Sequence, residues 1–285
     1  AEPDIITGQF WHIPWPSPEI FRICPWQEEL LDGMLGNDLI GFHIGDHCNN
    51  FLSTVARCLD AQSDQEYNLV KYRGDSTLVR PFPISVDFDQ INQDAQSRYV
   101  TEEMDRLTDE LDLGDMIIGL GIDRIDYTKG IPHRLRAFGR FLEKYPQYLG
   151  KVVFIQAGVM SRTGIDAYQA LSDQIDHLLD DINSRFGYAS WEPIIYMPND
   201  LPHVTLMALR RMARFCVVSS LHDGMNLVAK EYAASRFDED GVLVLSPFTG
   251  SALELTDALI VNPYATEQFA DAICDAVEMP LESRR

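Results

Sequence analysis

Asp223, Asn226, Lys230 and Glu231 fall within one short stretch, Ser219-Ser220-Leu221-His222-Asp223-Gly224-Met225-Asn226-Leu227-Val228-Ala229-Lys230-Glu231. The run before it, Phe215-Cys216-Val217-Val218-Ser219, is apolar and β-branched, long enough for one buried parallel strand. Residues 225–236 are helix formers without proline. The expectation is strand, tight turn, helix. Gly224 lets the turn pass close to a ligand, and the backbone N–H groups of residues 225–228 lack intrahelical acceptors, which suits phosphate oxygens. Asp223 at the lip can accept from sugar hydroxyls, and Glu231, two helical turns on, can reach a second set such as those of a ribose. On this stretch alone the plainer reading is the stronger: Asp223 as an N-cap and Glu231 as a surface charge. Asn226 and Lys230 add two polar groups, and a second stretch shifts the balance.

That second stretch is Gly121-Ile122-Asp123-Arg124-Ile125-Asp126-Tyr127-Thr128-Lys129-Gly130. Arg124 and Lys129 share one strand-to-helix loop in an acidic chain, and two cations there suit the charge that develops on a leaving diphosphate. Gly119-Leu120-Gly121 lacks the third glycine of a dinucleotide fingerprint, and no Walker P-loop is present, which disfavours a nicotinamide enzyme or a kinase. A third loop, Ala157-Gly158-Val159-Met160-Ser161-Arg162-Thr163-Gly164, offers Arg162 to an anion. Trp11-His12-Ile13-Pro14-Trp15-Pro16-Ser17-Pro18 is a rigid aromatic exit from a first strand. It puts His12 at the carboxyl end of that strand, the side on which open α/β sheets bind ligands.

The elements that must position these groups alternate. Strands are expected at 5–13 and 39–44, with helices at 27–35 and from Asp46 as N-cap to Leu59. Residues 69–72 and 77–80 read as a hairpin around Gly74-Asp75. Residues 88–114 are polar and mostly helical, broken at Gly114. Strands then recur at 116–122, 152–159, 193–197, 215–219, 242–246 and 258–261, with helices between them, the clearest over 166–186. This βαβ alternation predicts an α/β fold with doubly wound parallel sheets. A domain boundary is expected within 85–115 and is drawn at residue 100, giving sections 1–100 and 101–285.

The chain has 285 residues, 46% of them hydrophobic, enough for one large α/β domain or two medium ones. Its net charge of −21 disfavours nucleic acid or an anionic membrane as partner, so an anionic substrate needs a local basic pocket. The five cysteines, Cys24, Cys48, Cys58, Cys216 and Cys274, are scattered and lack a CxxC pair. They read as buried thiols of a cytoplasmic protein. No run approaches membrane-spanning length and no metal-ligand cluster is evident. The opening Ala1-Glu2-Pro3, without Met, suggests a longer protein. Self-association into a homo-oligomer is left open.

Three motifs together carry a resemblance: Trp11-His12-Ile13-Pro14, Arg124-x-Asp126-Tyr127-x-Lys129-Gly130, and Asp223-Gly224-Met225-Asn226-Leu227-Val228-Ala229-Lys230-Glu231. Over nearly its whole length the chain resembles the trehalose-6-phosphate synthase family, retaining glycosyltransferases with two Rossmann-like domains (the GT-B fold). The resemblance implies transfer of glucose from UDP-glucose to glucose 6-phosphate, giving trehalose 6-phosphate and UDP, without a cofactor. It implies that Arg124 and Lys129 bind the UDP diphosphate with the backbone N–H groups of Leu227 and Val228, and that Glu231 holds the ribose. Leu201 would lie by the uracil, Asp223 and His12 would hold the donor glucose, and Arg162 the acceptor phosphate. Gly224, Met225, Asn226, Ala229 and Lys230 complete the implied donor site. The implied chemistry has no enzymic nucleophile. The acceptor hydroxyl attacks on the leaving-group face through an oxocarbenium-like state, and the UDP phosphate takes its proton. Arg124, Lys129 and the helix N-terminus stand in for a metal.

Departures from the family pattern bear mainly on the acceptor. The family's glycine-rich loop and the Tyr, Trp and Asp around the acceptor sugar precede the start of this chain, so the N-terminal domain reads as truncated. The C-terminal helix that crosses back to the first domain is absent, and His222 stands where several relatives carry Arg. Two rival readings follow. One is a sister transferase with the same donor and glycerol 3-phosphate as acceptor. The other is a non-catalytic sugar-phosphate sensor on the same fold.

Overall fold

In the computed structural model, residues 5–158 and 166–284 are described. The chain forms two compact units, Ala1–Ile84 with Asp223–Met225, and Ser85–His222 with Asn226–Arg285. The units part after Ile84 rather than at residue 100. The helices at 88–95 and 98–110, polar enough to read as a linker, have apolar stripes that pack onto the second unit.

The first unit runs β1 (Gly8–Phe10), α1 (Pro18–Phe21), α2 (Gln27–Met34), β2 (Leu39–Phe42), α3 (Gly45–Cys58), β3 (Gln62–Asp64), β4 (Leu69–Tyr72) and β5 (Asp75–Pro81). Its sheet has the order β1-β2-β5-β4-β3, parallel through β1, β2 and β5 and antiparallel from β5 to β3. The first strand is shorter than the expected 5–13, running from Gly8 to Phe10 and ending ahead of the proline-rich exit. α3 begins at Gly45 with Ile44 at the cap position and no side-chain cap, so Asp46 lies inside the helix instead of capping it. The hairpin turn is Arg73-Gly74, both at positive φ, one residue ahead of the expected pair. The short edge strand β3 has no period-2 apolar pattern and was not anticipated. Trp15, Phe42, Phe51 and Val79 centre the core, and the Trp15 indole donates to Thr54 Oγ1 at 3.1 Å.

The second unit continues α4 (Phe88–Ala95), α5 (Arg98–Glu110), β6 (Ile117–Ile122), α6 (Ile131–Lys144), β7 (Val152–Ala157), α7 (Asp166–Phe186), β8 (Ile194–Met197), α8 (His203–Met212), β9 (Phe215–Val218), α9 (Leu227–Ser235), β10 (Val242–Leu245), β11 (Leu259–Ile260), α10 (Thr266–Glu278) and α11 (Leu281–Arg284). All six strands are parallel in the order β11-β10-β9-β6-β7-β8. This is the doubly wound order, with its switch point between β6 and β9. Each expected strand of this section is present, those outside 152–159 trimmed by one residue at one or both ends; the last residue of the expected 152–159 lies outside the described residues. Helices cover both faces, which explains the unbroken apolar runs. Along β7, Val152 and Phe154 face the layer of α6, α7 and α10, while Val153 and Ile155 face that of α5 and α8.

Candidate functional site

The carboxyl ends of the second sheet surround a cleft of about 370 Å³. Its walls are Ile122, Asp123 and Arg124 at the end of β6 and just beyond it, Lys129 in the following turn, Ala157 and Gly158 at the end of β7 and just beyond it, and Asn199, Asp200 and Leu201 after β8. Leu206 and Arg210 of α8 and Val228 and Glu231 of α9 close it. Arg124 is exposed and, among the described residues, pairs with no carboxylate. Lys129 sits in a single 3-10 turn, residues Tyr127–Lys129, capped by Asp126. Asp126 Oδ1 accepts from the Thr128 N–H at 2.9 Å and the Thr128 hydroxyl at 2.7 Å, and Oδ2 accepts from the Tyr168 hydroxyl at 3.1 Å. Burial pushes the Asp126 carboxyl up, but these bonds and the nearby Lys129 charge leave it below its ordinary value. The carboxylate is thus held ionised beside the lysine and fixes the turn that carries it.

The α9 helix starts at Leu227, not at Met225. Asn226 adopts φ +72° and caps the helix, its Oδ1 accepting from the Ala229 N–H at 3.1 Å while its Nδ2 donates to Ser220 Oγ at 3.3 Å. The capping role that Asp223 could have filled therefore belongs to Asn226. One orphan donor is satisfied in this way, and the N–H groups of Leu227 and Val228, in the first turn of the helix, have no intrahelical acceptors; Val228 lines the cleft. Glu231 presents its carboxylate to the same cleft and is paired with Arg210, whose side chain is buried.

In the first unit, His12 is exposed and its Nδ1 lies 2.9 Å from Nε2 of the buried His43, the rings meeting edge to face. Gly224 packs against this pair. A Cβ at that position would lie 2.4 Å from the His12 carbonyl oxygen and 2.7 Å from His43 Cδ2, so only glycine lets the loop seat there. Asp223 and Met225 belong to the same unit, Asp223 half-buried and Met225 buried.

The second unit thus brings Arg124, Lys129, Leu201, Val228 and Glu231 to one cleft, while Leu227, the first residue of α9, is half-buried and is not one of its walls. His12, Asp223, Gly224 and Met225 lie in the first unit. Three residues of the acidic-loop motif are occupied elsewhere. Asn226 caps the helix, Ala229 is buried beside Val218 and Leu245, and Lys230 is buried with Nζ on both Glu254 oxygens at 2.9 and 2.8 Å. Arg162 lies outside the described residues. Arg210 and His43 were missed from sequence. Arg210 sits in the helical pattern Met207-Ala208-Leu209-Arg210-Arg211 and reads as a solvated charge. His43 follows β2 and is level with His12 by the register of β1 on β2, a signal that exists only once the pairing is known. Among the described residues no group of three or more His, Cys, Asp or Glu is placed to hold a metal ion. No described helix is long and apolar enough to cross a membrane.

A doubly wound sheet with cations and a helix N-terminus at its switch point defines an α/β protein of the ligand-binding kind, the site lying where such sheets place it. The whole chain, residues 1–285, matches Glycosyltransferase family 20, and it belongs to that family. It is 41% identical over 281 residues to a UDP-forming alpha,alpha-trehalose-phosphate synthase of Candida albicans, covering 99% of this chain and 58% of that protein. It is 40% identical over 278 residues to a bifunctional trehalose-6-phosphate synthase/phosphatase of Thermoproteus tenax, covering 97% of this chain and 38% of that protein. Among solved structures, the E. coli enzyme bound with UDP-2-fluoro glucose superposes with a TM-score of 0.91 at 35% identity, over 97% of this chain and 61% of that one. A Burkholderia xenovorans alpha,alpha-trehalose-phosphate synthase in complex with glucose-6-phosphate gives 0.94 at 34%, over 99% and 62%. The chain therefore spans about three-fifths of the length of most of these relatives.

Proposed function

We propose that the protein transfers glucose from UDP-glucose to glucose 6-phosphate with retention, forming trehalose 6-phosphate and releasing UDP, and that this chain holds its donor site. The observation that carries the proposal is the convergence of Arg124, Lys129, the start of α9 and Glu231 on one cleft of a strongly acidic molecule. Two cations and two backbone N–H groups match a diphosphate, whose leaving charge they stabilise most as the glycosidic bond breaks. Glu231, oriented by Arg210, is matched to vicinal ribose hydroxyls, and Leu201 offers an apolar face to the uracil. His12 and Asp223 are the groups proposed for the donor glucose hydroxyls, and Arg162 for the acceptor phosphate. With no nucleophile required of the protein, its contribution is positioning and charge stabilisation, and the departing phosphate oxygen takes the acceptor proton. The relatives bound with a UDP-glucose analogue and with glucose-6-phosphate support both substrates.

The test is UDP release from UDP-glucose by the full-length protein, with glucose 6-phosphate and glycerol 3-phosphate as rival acceptors. Release with glucose 6-phosphate alone is expected. Release only with glycerol 3-phosphate would keep the donor site and overturn the product. Tight UDP-glucose binding without release would make the protein a sensor.

A further inference from the structure

Beneath the cleft, one guanidinium joins three strand exits. Arg134 stands in the first turn of α6 and is completely buried. Its Nη2 donates to Asp123 Oδ2 at 2.6 Å, just after β6; its Nη1 donates to Gln156 Oε1 on β7 at 3.0 Å; its Nε donates to Ser219 Oγ, just after β9, at 3.1 Å. Asp123, Gln156 and Ser219 are themselves buried. Ser219 Oγ also lies 3.0 Å from the Lys129 carbonyl oxygen and 3.2 Å from that of Gly130, so the network reaches the turn that carries Lys129. The sheet is shaped to admit the guanidinium. A Cβ at position 121 on β6 would stand 2.1 Å from Arg134 Nη1, which only glycine avoids.

For stability alone such an arrangement is a poor choice. Desolvating an Arg–Asp pair costs as much as the pair returns, and apolar residues of similar volume commonly do as well or better. What the guanidinium supplies is direction: a planar fork with several donors fixes three acceptors at once, where an ammonium would act as a point charge. The acceptors it fixes adjoin the cleft. Asp123 is the neighbour of Arg124, and the carbonyls bound through Ser219 are those of Lys129 and Gly130.

We infer that Arg134 is a positioning residue for diphosphate recognition, holding the exits of β6 and β9 in register so that Arg124 and Lys129 converge on one anion. This rests on the diphosphate reading of the cleft. It makes a specific demand, that disturbing Arg134 should weaken binding of the diphosphate and leave the nucleoside end alone.

The experiment compares UDP and uridine binding by calorimetry in the full-length protein, with melting temperatures measured in parallel. Wild-type protein that binds UDP no better than uridine would remove the diphosphate reading itself, and the inference with it. Given that preference, Arg134→Lys, which keeps the charge and loses the fork, is expected to weaken UDP about tenfold or more while uridine stays within about twofold. Equal weakening of both ligands, or no change in either, would make Arg134 a packing residue only. If Arg134→Lys does not fold, Ser219→Ala carries the same comparison, since it cuts the link to the Lys129 turn and leaves the Arg134–Asp123 pair intact. A selective loss of UDP affinity in that variant is the expected result, and an unchanged UDP-to-uridine ratio would overturn the inference.

Discussion

Lys129 is half-buried at the cleft, with its turn fixed by Asp126 on one side and Ser219 on the other. Its main chain therefore does the structural work, and its side chain lines the cleft. Lys129→Ala is accordingly expected to leave the melting temperature nearly unchanged and to lower kcat by about two to three orders of magnitude, the scale seen when one preorganised stabiliser of developing charge is removed. Unchanged turnover in a steady-state assay would take Lys129 out of the mechanism. Arg210 makes the opposite contrast to Arg134. Its partner is Glu231, the group proposed for the ribose, so Arg210→Met should weaken uridine and UDP alike, by about tenfold if one charge-assisted hydrogen bond is lost. A loss confined to UDP would show that Arg210 serves the diphosphate instead.

At the scale of elements, much of the architecture was legible, because strands buried on both faces read as unbroken apolar runs separated by helices of the right length. Cations directly after such strands could be assigned to one sheet edge without a structure, and Arg124 and Lys129 line one cleft together with Val228 and Glu231 of α9. Arg134 and Arg210 were illegible for a physical reason. Each stands inside an amphipathic helix, where a charge ordinarily marks the solvated face, and only packing reveals that the side chain turns inward. Lys230 shows a pairing that the motif does not announce: the side chain is buried and its ammonium donates to Glu254. Element packing also sets an acid response. The Glu103 carboxyl on α5 is bound by Arg106 and by the Thr205 hydroxyl of α8, and the Arg106 bond first, then Thr205, hold it down at about 2. Its folded value lies below its ordinary 4.5, so the stability it contributes is present above about pH 4.5 and is lost as pH falls towards 2. Glu103→Gln should therefore lower stability at neutral pH and flatten its decline across that window, as followed by denaturant unfolding at a series of pH values. A variant with the same acid slope as wild type would exclude Glu103 from the response.

For the whole molecule, the decisive quantity is the surplus of acid: 44 Asp and Glu against 23 Lys and Arg. Even if every base were paired, the remaining carboxylates would repel one another over the surface, and this long-range term exceeds what exposed ion pairs return, each worth roughly 0–1 kcal/mol. Ion pairs such as Arg98–Glu102 and Arg57–Glu19 are largely exposed and belong to that weak class. Within the cleft, Arg124 and Lys129 stand close to the start of α9, and an attraction between them and the diphosphate proposed there would be a local, salt-sensitive term of opposite sign to the surface repulsion. Salt should consequently act in opposite directions on folding and on binding. Between about 0.05 and 0.5 M NaCl the screening length shrinks from more than 10 Å to less than 5 Å. The melting temperature is expected to rise as carboxylate repulsion is screened, while UDP affinity falls as the cation–diphosphate attraction is screened. Uridine, lacking phosphate, should bind with little dependence on salt. A melting temperature that falls with salt would mean that the ion pairs outweigh the surplus repulsion. Affinity for UDP that is flat across the same range would mean that recognition rests on the nucleoside and not on the two cations.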